Sequence, residues 1–256
     1  MWKPIIIKNQ NISGENFKKL LSGQIPALVI KNFYSKNQCI SLVKKIEKSK
    51  TKFDKTQLEH IGPFLMAHTT KKKEYFYKSK EFQKTWDCIF KKVQNPLLRV
   101  DAMINNSLPS FSMSLAKQSE GHFSPFVIRI HRKGKSIPIH KDNVQYEGKE
   151  YFVSNIDHQL SCVIHLQESE LGGDVIIYKN QWKKKDERYR NIDFGYSQNV
   201  VSTEFCRLSN INNGDLVIIN PNYYHEVTKI LGDRSRITLG MFLGIRYHDK
   251  QIFAWA

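Results

Sequence analysis

The stretch Asn212–Gly244, NNGDLVIINPNYYHEVTKILGDRSRITLGMFLG, decides the fold. It contains two short apolar or alternating runs, Asp215–Asn220 and Arg236–Gly244. Turn-forming pairs precede them, Asn213-Gly214 and Gly232-Asp233. Short runs of this kind between glycine and asparagine turns are typical of strands joined by tight connections. The stretch therefore predicts two strands of an antiparallel β-structure.

The same pattern extends upstream as far as Phe126. Three further runs are Val127–His131, Ser161–Gln167 and Asp174–Tyr178, with glycines between or beside them. Short strands at this spacing indicate an antiparallel sandwich or barrel. We therefore expect an α+β chain that is mainly β.

The N-terminal part has a different pattern. Residues 25–33 (IPALVIKNF) predict a short strand, and Ser35 is a suitable N-cap for a helix that follows it. Residues 51–120 are mixed, with helices expected around residues 81–93 and 96–106.

Because no repeat or Pro/Gly/Ser linker interrupts the sequence, we expect a single domain over residues 1–256. Residues 1–125 form its mostly helical N-terminal part, which packs against a β-core over residues 126–256.

Composition narrows the class of protein. A hydrophobic content of 40% and an aromatic content of 12% are typical of a globular chain. Apolar stretches such as Leu216–Ile219 are too short to cross a bilayer, and the N-terminus predicts no secretion signal. Four dispersed cysteines predict reduced thiols. We expect a cytoplasmic protein without a membrane partner.

The formal charge of +16 has two interpretations. It could form an electropositive surface for nucleic acid or for an anionic substrate. It could also reflect a general enrichment in lysine, which we favour, because the lysine runs at 71–73 and 183–185 lack interleaved aromatic residues that would stack on bases. Nucleic acid is therefore not the expected partner.

The sharpest local motif is His140-Lys141-Asp142. Residues two apart on a strand share a face, so this imidazole and carboxylate can converge on one ion. His225 follows the predicted strand Asp215–Asn220, and two histidines with one carboxylate are the ligand set of non-haem Fe(II) oxygenases.

Chance is the alternative for this motif. In a chain with nine histidines and 24 acidic residues, a His-x-acid triplet is expected roughly once by chance, and an isolated histidine is often a core residue. The order of the motif, the glycine turn and the later histidine within successive strands favours a metal site.

Two arginines follow His225 and could bind the far carboxylate of a co-substrate. Arg234 and Arg236 are expected on the same face of the last strand, and a guanidinium can bind a carboxylate through two parallel hydrogen bonds. We prefer Arg234 and place Arg236 second. The alternative is a strand end with two solvated arginines.

From about Val127 to the C-terminus the chain resembles the 2-oxoglutarate/Fe(II) oxygenase superfamily. It is nearest to the carrier-independent alkaloid halogenases of welwitindolinone-type pathways and their hydroxylase relatives. The stretches that carry the resemblance are IRIHRKGKSIPIHKDN (128–143), LSCVIHLQESELGGDVIIYKNQW (160–182), residues 212–244 and the aromatic end Phe253-Ala254-Trp255.

The resemblance implies a double-stranded β-helix, a jelly-roll or cupin-like core. It also implies His140, Asp142 and His225 as the iron ligands and catalytic residues. Fe(II), 2-oxoglutarate and O₂ are the implied requirements, with ascorbate as a stimulant.

One departure from the resemblance bears on the reaction. Those halogenases have a small residue where this chain has Asp142, which leaves a position for chloride. The resemblance with this departure implies a hydroxylase that acts on a small molecule, an amino acid or a natural-product intermediate, and releases succinate and CO₂.

Two further histidines fall at polar positions of the resemblance. His165 takes the place of a tyrosine that contacts 2-oxoglutarate in prolyl-hydroxylase-like members, and His131 occupies another polar site before the iron motif. Each is a candidate co-substrate contact, and ordinary strand packing is the alternative for both.

The long segment over residues 179–205 contains Trp182 and a charged run over residues 183–190. It is a lid over the mouth of the barrel or a solvated excursion.

Two other functions stay open: an oxygenase that modifies protein or nucleic acid, and a non-catalytic β-barrel binding module. The substrate and the oligomeric state are not encoded in the ligand spacing.

Overall fold

The structure is a computed structural model, and it describes residues 2–8, 12–49, 59–191 and 194–256. Its described helices are α1 (Gly14–Leu21), α2 (Lys36–Ser49), α3 (Lys72–Phe90), α4 (Pro96–Ser107) and α5 (Val144–Glu147). The first strands are β1 (Ile5–Ile7), β2 (Ala27–Ile30), β3 (Glu59–Ile61), β4 (Ser112–Leu115), β5 (Lys117–Gln118), β6 (Gly121–His122) and β7 (Val127–His131). The remaining strands are β8 (Ile137–His140), β9 (His158–Gln167), β10 (Val175–Gln181), β11 (Phe205–Leu208), β12 (Leu216–Ile219), β13 (Tyr223–Val227), β14 (Arg236–Arg246) and β15 (Gln251–Trp255).

Two sheets form the centre of the molecule. The larger has the order β1-β2-β12-β9-β14-β15-β4, with β7 paired to β14 and β3 paired to β7. The smaller has the order β11-β10-β13-β8. From β7 onward, β7, β9, β12 and β14 enter the larger sheet, whereas β8, β10, β11 and β13 enter the smaller. The chain is thus a mixed α/β protein, mostly sheet, with a core consistent with a jelly roll.

The larger sheet is buried on both faces. In β12, Leu216 and Ile218 join the apolar cluster that contains the buried faces of α1 to α4, whereas Val217 and Ile219 join a cluster with residues of the smaller sheet. This two-sided burial explains why β12 is a continuous apolar run. The helices therefore cover the outer face of the larger sheet and leave its inner face to the smaller one.

Local signals mark the starts of α2 and α4 near the predicted places, whereas α3 starts earlier than predicted. Ser35 precedes α2, and the Gln38 backbone N–H donates to its Oγ at 3.2 Å while the Gln38 side chain accepts from the Ser35 N–H at 2.8 Å. Helix α3 begins at Lys72, earlier than the predicted residue 81, because Tyr75 and Phe76 extend its buried face into a lysine-rich first turn. Of the mixed segment 51–120, residues 51–58 lie outside the described residues.

The N-terminal part contributes strands as well as helices. The strand predicted over residues 25–33 is the shorter β2, which pairs with β12 and also with β1. No described helix has the length and apolar character needed to span a membrane.

Candidate metal centre and adjoining cavity

A cavity of about 810 Å³ lies between the two sheets. Its walls come from β7, β9, β12 and β14 of the larger sheet and from β8, β10 and β13 of the smaller sheet. The predicted metal ligands and both predicted histidine contacts line it.

His140 and His225 are brought together by strand pairing. His140 ends β8, and His225 lies directly opposite it on β13. Residues directly opposite in an antiparallel pair point to the same face, and the two imidazole centroids are 4.1 Å apart. Residues distant in the sequence thus become neighbours at one wall of the cavity.

Asp142 joins this pair from the turn that follows β8. Its backbone N–H donates to the Pro221 carbonyl at 2.9 Å, which ties it to the turn before β13. Its Oδ2 is 3.6 Å from His225 Nε2. Ligand atoms of His140, Asp142 and His225 all lie within 4.8 Å of one another, and among the described residues they form the group that could hold a metal ion.

Hydrogen bonds set the tautomers of both imidazoles. Nδ1 of His140 lies 2.9 Å from the Pro138 carbonyl, and Nδ1 of His225 lies 2.9 Å from the Tyr223 carbonyl. Because a carbonyl oxygen only accepts, Nδ1 carries the proton in each ring, and each Nε2 lone pair is available to a metal.

The charge states also suit a metal. Desolvation inside the cavity, with the nearby His225, lowers the pKa of His140 to about 4, so this imidazole is neutral at physiological pH. Burial acts to raise the pKa of Asp142, but the interactions with His225 and His140 outweigh it and hold the carboxyl below its ordinary value. Neutral imidazole and ionised carboxylate are the forms that bind a divalent ion.

Arg236 occupies another part of the cavity. It is the first residue of β14, and only 2% of it is exposed. Its Nη1 lies 3.3 Å from His131 Nδ1, and its Nε lies 3.8 Å from a carboxylate oxygen of Glu168. A Cβ at Gly173, where φ is +82°, would lie 3.0 Å from the Arg236 Cδ, so the Gly-Gly turn makes room for this side chain.

His131 and His165 flank the arginine. Both are 1% exposed, and His165 Nδ1 lies 2.6 Å from the Glu168 carboxylate. Nε2 of His131, Nε2 of His165 and Nε of Arg236 are buried without a hydrogen-bond partner among the described residues. Buried polar groups are normally paired, so this cluster suits a ligand with carboxylate oxygens.

Arg234 lies outside the cavity. It is exposed, and its Nε donates to the Glu168 backbone carbonyl at 2.9 Å. The residue precedes β14, so it does not share the inward face on which Arg236 lies. The strand begins two residues later than the preference for Arg234 requires, so Arg236 lines the cavity and Arg234 does not.

Lys141 lies between the predicted ligands His140 and Asp142, and the sequence did not indicate that it is buried. Its side chain is buried, with Nζ 2.7 Å from Glu147 Oε1 and 4.7 Å from the Trp182 ring centroid. These contacts anchor the turn that carries Asp142 to the connection between β10 and β11.

That connection lies beside the cavity. Glu187 accepts hydrogen bonds from Trp182 Nε1 at 2.7 Å and from the Tyr196 hydroxyl at 2.5 Å. Phe194 lines the cavity and meets the His140 ring edge-on at 5.6 Å between centroids. Opening and closing as a lid stays a prediction, and residues 192–193 of the segment lie outside the described residues.

The buried His131 gives a stability prediction. Desolvation, with the charges of Arg236 and Arg129, lowers the pKa of His131 from 6.5 to about 3. Between these two pKa values His131 is protonated in the unfolded chain but neutral in the folded chain. The contribution of His131 to the free energy of unfolding is therefore fully present above about pH 6.5 and is lost as the pH falls toward 3. Between pH 8 and pH 5 the loss is about 2 kcal/mol.

We expect His131→Asn to reduce the pH dependence of the free energy of unfolding by that amount, measured in urea with a metal chelator present. His248→Asn, at a residue whose side chain is 69% exposed, serves as the control. An unchanged pH dependence in His131→Asn would contradict the neutral, buried state of His131.

Comparison with known proteins places the chain in a family. The family described as carrier-protein-independent halogenase WelO5 matches residues 5–256. The chain belongs to this family. This match confirms the resemblance to the 2-oxoglutarate/Fe(II) oxygenase superfamily near the carrier-independent halogenases. No curated protein shows a significant match.

Solved structures share the fold at low sequence identity. An N-substituted L-amino acid dioxygenase from Burkholderia ambifaria AMMD has a TM-score of 0.62 and 13% identity, with 94% of this chain and 91% of that chain covered. HygX from Streptomyces hygroscopicus has a TM-score of 0.50 and 13% identity, with 86% and 82% covered. The non-haem α-ketoglutarate-dependent epimerase SnoN from nogalamycin biosynthesis has a TM-score of 0.52 and 8% identity, with 90% and 83% covered.

Proposed function

We propose that this WelO5-family chain is an Fe(II)- and 2-oxoglutarate-dependent dioxygenase that hydroxylates an unactivated C–H bond of a small molecule. The observation that carries the proposal is the convergence of His140, Asp142 and His225 in the cavity that also contains Arg236. The cofactors are Fe(II), 2-oxoglutarate and O₂, with stimulation by ascorbate.

The three predicted ligands have separate parts in this proposal. His140 and His225 offer their Nε2 atoms and Asp142 offers a carboxylate oxygen, which leaves the remaining positions of the ion for co-substrate and O₂. When bound, Fe(II) with O₂ and 2-oxoglutarate supplies the oxidant for the C–H bond and yields succinate and CO₂.

Arg236 and its neighbours hold the co-substrate in this proposal. The guanidinium binds the far carboxylate, and His131 donates from Nε2, because its Nδ1 accepts from Arg236. His165 contributes its unpaired Nε2. The solved structures of the Burkholderia dioxygenase with α-ketoglutarate and of HygX with nickel and 2-oxoglutarate support this co-substrate for the fold.

The sheet connectivity supports the double-stranded β-helix. Eight strands, β7 to β14, divide equally between the orders β12-β9-β14-β7 and β11-β10-β13-β8. Entry into the two facing sheets alternates except at β10 and β11, which follow each other in the smaller sheet, and this connectivity is consistent with that fold. The four free cysteines support a reducing compartment, the cytoplasm.

Hydroxylation is proposed over halogenation because of Asp142. Its carboxylate lies close to both imidazoles and is ionised, so it competes with a chloride ion for the same position. A coordinated carboxylate leaves no separate position for a halide on that side of the ion.

A product assay tests this proposal. Fe(II)-loaded protein with 2-oxoglutarate, O₂ and excess chloride is incubated with a panel of amino acids and natural-product intermediates. We expect Fe(II)-dependent succinate and a product heavier by one oxygen, and we expect Asp142→Gly to lower oxygen incorporation at least about 100-fold. A chlorinated product from the unaltered protein would contradict hydroxylation, and the absence of Fe(II)-dependent succinate would contradict the enzyme.

A further inference from the structure

Arg129 is a further guanidinium that lines the cavity and that the proposed function does not use. It lies on β7 opposite Thr238 of β14 and lines the cavity. A Cβ built on Gly240 would lie 3.1 Å from Nη1 of Arg129, so the guanidinium rests where this glycine leaves space. Its Cζ is 5.2 Å from the Phe64 ring centroid.

Among the side chains that the structure describes, none carries a carboxylate in an ion pair with Arg129. The acid that acts on it is Asp142, a proposed metal ligand; desolvation and the charge of Arg236 lower the pKa of Arg129, while Asp142 opposes the shift. A largely desolvated guanidinium without a carboxylate partner is costly, so this position favours an anionic ligand.

The Arg129 guanidinium has other neighbours than the proposed 2-oxoglutarate contacts, although its charge acts on Arg236 and His131. Arg236 lies among His131, Glu168 and Gly173 at the start of β14, whereas the Arg129 guanidinium lies beside Gly240, four residues further along. Since 2-oxoglutarate binds the metal through one end and Arg236 through the other, neither of its ends requires Arg129.

Phe64 lies against the Arg129 guanidinium, and other apolar side chains line part of the same cavity. Phe64, Met66 and Phe242 line the cavity, and Phe194 lines it beside His140. A cavity of about 810 Å³ is within the range for drug-sized ligands, and 2-oxoglutarate is a small diacid that fills a minor part of it. The remaining space suits a ring-bearing, apolar body.

We propose that the substrate is a carboxylic acid with an apolar, ring-bearing body, and that Arg129 binds its carboxylate beside Phe64 and Gly240. The inference rests on the proposed function, because it requires 2-oxoglutarate to occupy the metal and Arg236. Arg129 is thus a substrate-binding residue that selects an acid over a neutral compound.

Binding of matched acids and amides tests the inference. Protein loaded with Mn(II) and 2-oxoglutarate is titrated calorimetrically with phenylbutyrate, naphthylpropionate and N-benzoylglycine, and with the primary amide of each. We expect at least one acid to bind about tenfold more tightly than its amide. We expect Arg129→Gln to abolish this preference and to leave the affinity for 2-oxoglutarate within about threefold.

Two further variants refine the test. Gly240→Ala retains the charge but places a methyl group against the guanidinium, and we expect it to weaken the preference for the acid severalfold. Arg132 follows β7 directly and is exposed. Arg132→Gln removes the same charge as Arg129→Gln and should preserve the preference for the acid over the amide.

Several results would overturn the inference. One is that no acid binds more tightly than its amide, and another is that the preference for the acid persists in Arg129→Gln. A third is that Arg129→Gln loses tenfold or more of its affinity for 2-oxoglutarate, which would assign Arg129 to the co-substrate. Failure of the unaltered protein to bind 2-oxoglutarate, seen in the loading titration, would instead overturn the proposed function together with this inference.

Discussion

His225→Ala is expected to lose Fe(II) and nearly all succinate formation. The substitution removes one of the three proposed ligands and the Nδ1 hydrogen bond to the Tyr223 carbonyl that orients it. Loss of a residue that only orients a ligand typically costs about 10- to 100-fold in metal affinity or activity, so loss of a ligand should cost at least about 100-fold. Metal content after anaerobic loading and desalting, and succinate formed per chain, measure the effect.

A matched control separates coordination from general damage. His248→Ala makes the same chemical change where the side chain is 69% exposed, and it should retain full metal content and activity. His225→Gln retains more side-chain volume at this buried position and should lose iron as well. Retention of one Fe(II) per chain by both His225 variants would contradict the ligand assignment.

Arg236→Gln is expected to raise the KM for 2-oxoglutarate about 100-fold, with a smaller change in kcat at saturation. The substitution removes a buried guanidinium beside unpaired nitrogens of His131 and His165. A charge-assisted pair in a desolvated site is among the stronger hydrogen-bonded contacts, so its loss should weaken binding more than it alters the reaction. Initial rates of succinate formation over a range of 2-oxoglutarate concentrations measure the effect.

Arg234→Gln is the matched control. It removes an equal charge two residues away, at an exposed side chain that donates to a backbone carbonyl, and the KM should change less than about twofold. A larger effect for Arg234→Gln than for Arg236→Gln would restore the first preference from the sequence. Circular dichroism spectra and melting temperatures of the two variants show whether either substitution damages the fold.

The two substitutions separate metal binding from co-substrate binding. His225→Ala should lose the metal, whereas Arg236→Gln should retain one metal per chain and lose affinity for 2-oxoglutarate. This difference arises because the two side chains lie on different sheets, β13 and β14, at separate parts of one cavity. A common loss of both properties in both variants would indicate general unfolding.

Local patterns predicted several of the strands, and the structure brings the three predicted metal ligands together. The strands predicted at Asp215–Asn220 and Arg236–Gly244 lie close to β12 and β14, because alternating or continuous apolar runs end at turn residues. The spacing of His140 and Asp142 pointed to convergence, and the structure supplies it through pairing of β8 with β13.

The start of β14 determines which arginine lines the cavity, and residue spacing alone did not locate that start. Arg234 and Arg236 share a face only if both lie in one strand, and β14 includes only the second. A turn over residues 232–235 and a strand start cannot be distinguished by spacing alone, because both tolerate a charged residue next to glycine. The position of Arg236 is set by Gly173 and Glu168, which are distant in the sequence.

Tertiary contacts explain the burial of Lys141 and the position of Arg129 in the cavity, which the sequence did not indicate. Lys141 is buried because Glu147 and Trp182 surround its ammonium group, and Arg129 reaches the cavity because Gly240 lies on the neighbouring strand. Charged residues are normally exposed, so a lysine or arginine in a strand carries no local signal of burial. Only the arrangement of the two sheets reveals these positions.

The most direct test of the central claim is a crystal structure of the protein grown anaerobically with Fe(II) and 2-oxoglutarate. We expect one metal ion about 2.1 Å from Nε2 of His140, Nε2 of His225 and a carboxylate oxygen of Asp142. The diacid should chelate that ion and place its far carboxylate on Arg236. A metal bound elsewhere, or bound without one of these three side chains, would contradict the account.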